Sequence, residues 1–140
     1  MRFTLLLSFF LFLEGLAAGQ TIRLKNQYGD AYVYVDGETI RAKNKYGEAL
    51  FYFDGKTIRQ KNQYGNPLYY MDGNTVRLKN QYGDALYYFQ SKTVKLKDEY
   101  GEARYFIDCN QLKTKDQYGE SRYYFEGLAE KWVIVCLIKQ

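Results

Sequence analysis

The sequence predicts an all-β protein in which six tandem 18-residue β-hairpin repeats form a closed or nearly closed shallow barrel. Three observations predict it. First, Thr21 to about Gly127 divides into near-copies: TIRLKNQYGDAYVYVDGE, TIRAKNKYGEALFYFDGK, TIRQKNQYGNPLYYMDGN, TVRLKNQYGDALYYFQSK, TVKLKDEYGEARYFIDCN and the frayed QLKTKDQYGESRYYFEGL. Such short-period self-similarity marks an architecture whose units bury their faces only against their neighbours. Second, two turn signals alternate. A Tyr-Gly pair recurs in every copy, at Gly29, Gly47, Gly65, Gly83, Gly101 and Gly119, and Asp-Gly recurs at Asp36-Gly37, Asp54-Gly55 and Asp72-Gly73. Third, the intervals between these turns hold five-residue stretches rich in β-branched and aromatic residues, the length and composition of a strand.

The N-terminus reads as a secretory signal peptide over residues 1–19. Arg2 supplies the positive end, TLLLSFFLFL the apolar stretch, and Ala17-Ala18-Gly19 the small residues before Gln20. The apolar run from Phe3 to Leu13 falls short of the ~20 residues that span a bilayer; a retained anchor is the alternative. LAAGQ carries Gln20 where a bacterial lipoprotein would carry cysteine, so lipidation is not expected. The mature chain, residues 20–140, is then one repeat domain that is secreted, periplasmic or held at the cell surface.

Within each repeat, Asp-Gly between apolar runs predicts a two-residue type I′ hairpin, with positive φ at both central residues. That register sets Val33 opposite Ile40, Phe51 opposite Ile58 and Tyr69 opposite Val76, with Ala49 and Ala85 nearby, and makes one face apolar. The other face then pairs Tyr52 with Thr57, Leu50 with Arg59 and Glu48 with Lys61, and likewise Asp30 with Lys43 and Asp84 with Lys97. A slip of one residue would mix the faces. Exposed acid–lysine pairs add about 0.2–1 kcal/mol each, against roughly 1.5–3 kcal/mol for a buried apolar side chain, so burial must dominate. Gln90-Ser91 and Asp108-Cys109 replace Asp-Gly in the fourth and fifth repeats, where wider turns are expected.

The chain ends in LAEKWVIVCLIKQ, whose residues 132–139 predict a closing strand buried on both faces, with Trp132 near its start. Twelve or thirteen short strands hide their edges best by closure. A triangular β-helix would repeat small apolar residues every six positions, and calcium-binding nonapeptide arrays need Gly-Gly; neither pattern is present.

The repeated ALYYFDGNTVRLKNQYG-like unit, above all Asp-Gly-x-Thr-Ile/Val-Arg, resembles that of the β-flower proteins over essentially all of 21–140. The resemblance implies a shallow barrel of hairpin petals in mostly secreted or surface-associated bacterial proteins without an assigned activity. It transfers no catalytic residue. The repeats are also faintly similar to choline-binding cell-wall repeats, but the ligand-caging tryptophans are missing, since the single Trp132 lies outside the repeats.

Composition narrows the chemistry. The chain has no histidine, which removes Ser-His and Cys-His nucleophilic arrangements and the commonest zinc ligand. Two cysteines without histidine make no recognisable metal site, and phosphate-cradling glycine motifs are absent. Asp30, Glu48, Asp84, Glu102 and Glu120 share one structural column, so no pair of carboxylates stands out for glycoside hydrolysis. No enzyme activity, cofactor or metal is expected. In an oxidising compartment Cys109 and Cys136 are permitted a disulfide, with one buried and one exposed thiol as the alternative.

A net charge of +4 is too modest for a nucleic-acid partner. The candidate binding face is a basic–aromatic set: Arg23, Arg41, Arg59 and Arg77 with Tyr34, Tyr52, Tyr70 and Tyr88. Such a face suits an anionic glycan, a polyanion or lipid headgroups. The competing reading makes these solvated strand residues paired with acids, on a structural or interaction scaffold whose partner is a cell-envelope or extracellular polysaccharide or protein. Convergence of the arginines on a concavity would favour binding; dispersal and pairing would favour the scaffold.

Overall fold

The computed structural model describes residues 19–138; residues 1–18 of the proposed signal peptide lie outside them. Twelve antiparallel strands form one closed barrel: β1 Gln20–Leu24, β2 Ala31–Asp36, β3 Thr39–Ala42, β4 Ala49–Phe53, β5 Thr57–Gln60, β6 Pro67–Asp72, β7 Thr75–Leu78, β8 Ala85–Gln90, β9 Thr93–Leu96, β10 Ala103–Asp108, β11 Gln111–Thr114 and β12 Ser121–Phe125. Each strand pairs with its sequence neighbours, and β1 closes the ring on β12 through Ile22↔Phe125, Arg23↔Tyr124 and Leu24↔Tyr123. The seam is reinforced by an Arg23–Glu126 ion pair at 2.8 Å.

The strand alternation places the apolar columns inward, as the sequence predicts, but the register differs. Val35, not Val33, stands opposite Ile40; Phe53, not Phe51, opposite Ile58; and Met71, not Tyr69, opposite Val76. The offset is two residues, so residues beyond each repeat's β-bulge keep their faces. At the bulge Ala49, expected on the apolar face, stands opposite Arg41, and Leu50, expected outside, packs against the core. The cause of the offset lies in the turn. Asp36, predicted inside the turn, pairs with Thr39, leaving Gly37 and Glu38 as the connection, and only the glycine takes positive φ (64°). The tight turn is therefore centred one residue later than a type I′ Asp-Gly turn would set it. The fourth and fifth repeats keep the same two-residue connection, with Gln90↔Thr93 and Asp108↔Gln111; Ser91 and Cys109 adopt the glycine's left-handed φ (56° and 55°) instead of widening the turn.

The opposite rim is built from six Tyr-Gly loops sharing one hydrogen-bond scheme. In the loop 61–66, Lys61 has φ 64° and Asn62 N donates to Gln60 O at 2.7 Å, a γ-turn of the rare left-handed kind. Gly65 N then donates to Asn62 O, and Gln60 N donates to Asn66 O, closing the loop. A Cβ on Gly65 would stand 1.6 Å from Gln60 O, so glycine is required by proximity to backbone. Beside each loop the ladder skips one residue: Ile58 pairs with Tyr69 and Arg59 with Pro67, which leaves Leu68 in a β-bulge. The freed Leu68 carbonyl accepts the N–H of the left-handed Lys79 of the next loop at 3.0 Å. One bulge per repeat bends and twists the sheet in equal steps, which lets short strands close into a ring.

The predicted closing strand is instead a helix, α1, Lys131–Ile138. After β12 pairs with β1 no sheet edge remains, so an apolar segment has no backbone partners to claim. A helix satisfies its own N–H and C=O groups and carries apolar residues on all sides, which suits the lumen. Trp132 through Leu137 are all buried, and they join Ile22, Val33, Val35, Ile40, Ile58, Val76, Phe89, Val94, Leu112 and Phe125 in one core. Trp132 stacks on Phe53 with ring centroids 5.0 Å apart. The helix enters at the Asp-Gly rim, where Lys131 Nζ donates to Asn74 Oδ1 (2.6 Å), and runs towards the Tyr-Gly rim, where Leu137 and Ile138 meet Tyr105 and Tyr123. The connecting segment is clamped by Gln20, whose amide accepts from Gly127 N and donates to Leu128 O, both at 2.8 Å.

Candidate interaction surface

The basic–aromatic set lies on the outer wall. Cross-strand partners there are Tyr34 with Arg41, Tyr52 with Arg59, Tyr70 with Arg77, and Tyr124 with Arg23 across the seam, while Tyr88 stands opposite Lys95. The arginines are thus spread around a convex surface and meet at no cleft. Each is half-buried, and Arg23, Arg59 and Arg77 are hydrogen-bonded at both ends. Arg59 Nη1 donates to Gly65 O at 3.2 Å while its Nε meets Asp54 Oδ2 at 3.4 Å; Arg77 does the same with Gly83 O and Asp72. Arg41 donates to Gly47 O, and its buried Nε forms an ion pair with Asp36 Oδ2 at 3.5 Å without a hydrogen bond. Small residues oppose the basic column, Ala49 facing Arg41 and Ala85 facing Arg77, which leaves the guanidinium room to lie along the wall. Where lysine replaces arginine, Lys95 and Lys113 reach the loop carbonyls of Glu99 and Gln117 instead.

The counter-acids are accordingly the turn aspartates, a consequence of the two-residue offset. Of the acid–lysine pairs predicted from sequence, Lys61–Glu48 forms at 3.4 Å between exposed side chains, whereas Asp30–Lys43 and Asp84–Lys97 are not among the ion pairs of the described residues. Asp54 shows what the turn does to an acid. Partial burial acts to raise its pKa, but the Thr57 and Lys56 N–H groups and the Arg59 guanidinium outweigh it and hold the carboxyl below its usual range. Tyr52 is shifted the other way: its hydroxyl donates to Glu38 Oε1 at 3.2 Å, which favours the protonated phenol.

Cys109 is exposed in a turn at the Asp-Gly rim and Cys136 is buried on α1; no disulfide joins them. Burial pushes the Cys136 thiol far above its ordinary pKa, the setting of a structural, unreactive cysteine. Inside the barrel, Tyr69, Tyr87 and Tyr123 also have raised pKa values, with burial the main cause. Among the described residues no group of three or more His, Cys, Asp or Glu is placed to hold a metal ion, and no helix is long and apolar enough to cross a membrane.

The most conspicuous surface is one that sequence reasoning used only as punctuation. Tyr28, Tyr46, Tyr64, Tyr82, Tyr100 and Tyr118 stand at the tips of the six rim loops, each 84–87% exposed. Their placement is fixed by backbone: Tyr64 N donates to Asn62 Oδ1 at 2.8 Å, and the same bond recurs from Tyr28 to Asn26 and from Tyr100 to Asp98. Because each repeat contributes two strands, every Tyr-Gly loop returns to the same rim. The sequence signal was available: a tyrosine in a polar loop, next to a turn glycine, has no strand neighbour to cover it.

These features define a class, a twelve-stranded hairpin-repeat barrel with a helix in its lumen and a crown of tyrosines on one rim. No protein-family model, curated protein or solved structure matches the chain.

Proposed function

We propose that this chain is a non-enzymatic interaction scaffold that presents six equivalent loops on one rim, acting outside the cytoplasm as its leader suggests. The observation that carries this reading is the crown: six bulky amphipathic side chains held almost fully exposed on loops whose backbones are locked. Exposed aromatics gathered in one patch mark interaction sites, and tyrosine suits them because it offers a large contact area at low entropic cost. A filled lumen supports the same reading, because α1 occupies the space where a barrel of this kind would enclose a ligand. The resemblance to β-flower proteins belongs to this proposal, supported by the closure of six hairpins into one antiparallel ring.

The alternative, an anionic glycan or headgroup site on the basic–aromatic wall, rests on the Tyr–Arg cross-strand pairs but must draw guanidinium groups away from their aspartates and loop carbonyls. Pull-down from native cell envelopes, with wild type and a variant carrying serine at all six rim tyrosines, tests the scaffold. Capture lost only in the variant is expected. Saturable, salt-sensitive binding to arrayed anionic polysaccharides or anionic vesicles, abolished by Arg41→Glu with Arg59→Glu and indifferent to the tyrosines, would instead establish the wall.

A further inference from the structure

The crown carries an uneven charge around its circumference. In the order of the ring, loop 25–30 holds Lys25 and Asp30 and is neutral; loop 43–48 holds Lys43, Lys45 and Glu48, net +1; and loop 61–66 holds Lys61 alone, net +1. Loop 79–84 is neutral again, with Lys79 and Asp84. Loop 97–102 sets Lys97 against Asp98, Glu99 and Glu102, net −2, and loop 115–120 sets Lys115 against Asp116 and Glu120, net −1. One half of the rim is therefore basic and the other acidic, separated by two neutral loops that lie opposite each other on the ring.

We propose that the crown is the interface of a face-to-face homodimer. Lay a two-fold axis across the rim through the neutral loops 25–30 and 79–84. The second copy then sets its loop 115–120 over loop 43–48, and its loop 97–102 over loop 61–66. Each basic loop meets an acidic one, and the neutral loops meet their own copies. An isologous contact must be self-complementary, and this charge order meets that condition. The six exposed tyrosines stand on the loop tips that meet. At the 150–250 Å² that an aromatic side chain buries, they supply on the order of 1,000 Å² per copy, against the roughly 800 Å² per partner of a standard stable interface. The pairing deepens the scaffold reading and rests on it only in using the crown as a contact surface.

The repeat columns supply variants that should fold, because each new residue already stands at the same place in another repeat. Asn44→Asp, Lys45→Glu, Asn62→Asp and Gln63→Glu make the basic half acidic. In a second protein, Asp98→Asn, Glu99→Lys, Asp116→Asn and Gln117→Lys make the acidic half basic. Sedimentation of the purified full chain is the readout. Wild type is expected to dimerise, more weakly as salt rises; each charge variant alone is expected to be monomeric, and an equimolar mixture is expected to restore the dimer. Tyr46→Ser with Tyr100→Ser, which leaves the loop hydrogen bonds intact, should also loosen the dimer at least about tenfold, the equivalent of one lost aromatic contact. A wild type that stays monomeric at its highest soluble concentration, charge variants that dimerise on their own, or a mixture that does not dimerise would each overturn the pairing. A monomeric wild type overturns the pairing and leaves the scaffold reading to the envelope pull-down; a confirmed dimer makes a second copy of this chain the crown's occupant, and envelope capture then belongs to the monomer alone.

Discussion

Removing the lumen helix tests the fold most directly. The wall strands alone enclose an apolar interior, and α1 places six buried residues in it, from Trp132 to Leu137. At roughly 1.5–3 kcal/mol for each fully buried large side chain, the segment contributes about 10 kcal/mol or more. A domain of this size has only 5–15 kcal/mol in total. Ending the chain at Glu130 should therefore abolish cooperative folding, although every wall strand is retained. A milder version gives a number. Ile134 is 0% exposed, so Ile134→Ala should cost about 2–5 kcal/mol, whereas Leu128→Ala, at an exposed position, should cost less than about 0.5 kcal/mol. Urea unfolding followed by tryptophan fluorescence reports it well, because Trp132 stacks inside on Phe53. The midpoint should fall with little change in slope. A chain truncated at Glu130 that still unfolds cooperatively, with native near-ultraviolet dichroism, would refute the view that the helix completes the core.

Four further outcomes follow from the turns and the cysteines. Ser91→Gly and Cys109→Gly restore the residue that the left-handed turn position favours, and each should stabilise by about 0.5–1 kcal/mol, seen as a higher melting temperature. Gly65→Ala should do the opposite and cost more than about 1–3 kcal/mol, because the added methyl meets a backbone carbonyl with nowhere to move. Asp54 has a folded pKa below its unfolded one, so its contribution is present above the unfolded pKa and fades as pH falls through the folded value. Melting temperature against pH should thus be flatter below about pH 5 in Asp54→Asn than in wild type. A thiol reagent should label Cys109 in the native protein and reach Cys136 only on unfolding, as mass spectrometry of the labelled protein would show.

Repetition itself made the hairpins, their number and their apolar face legible. Alternation is a property of the strand, so Val33, Phe51 and Tyr69 point inward whichever partner they meet. The partner was less legible, because a shift of two residues preserves both faces and turns only on which residue of the Asp-Gly pair opens the connection. That small difference propagated into the electrostatics: arginine–turn-aspartate pairs such as Arg77–Asp72 form, while of the predicted acid–lysine pairs Lys61–Glu48 alone is an ion pair among the described residues. The wall arginines were legible as a column, but their engagement at both ends depends on how far the loop carbonyls lie from the turn acids.

The sequence by itself determined where the wall hairpins lie, where the chain must turn, and that WVIVCLI would be buried. Only the tertiary structure decided that this segment is a helix: hydrophobicity dictates burial, but secondary structure there depends on whether a sheet edge remains open, and β1 had already closed on β12. The crown was decided at the same level. A tyrosine before a turn glycine is local information, whereas six of them on a single rim require an even number of strands in every repeat and a ring that closes.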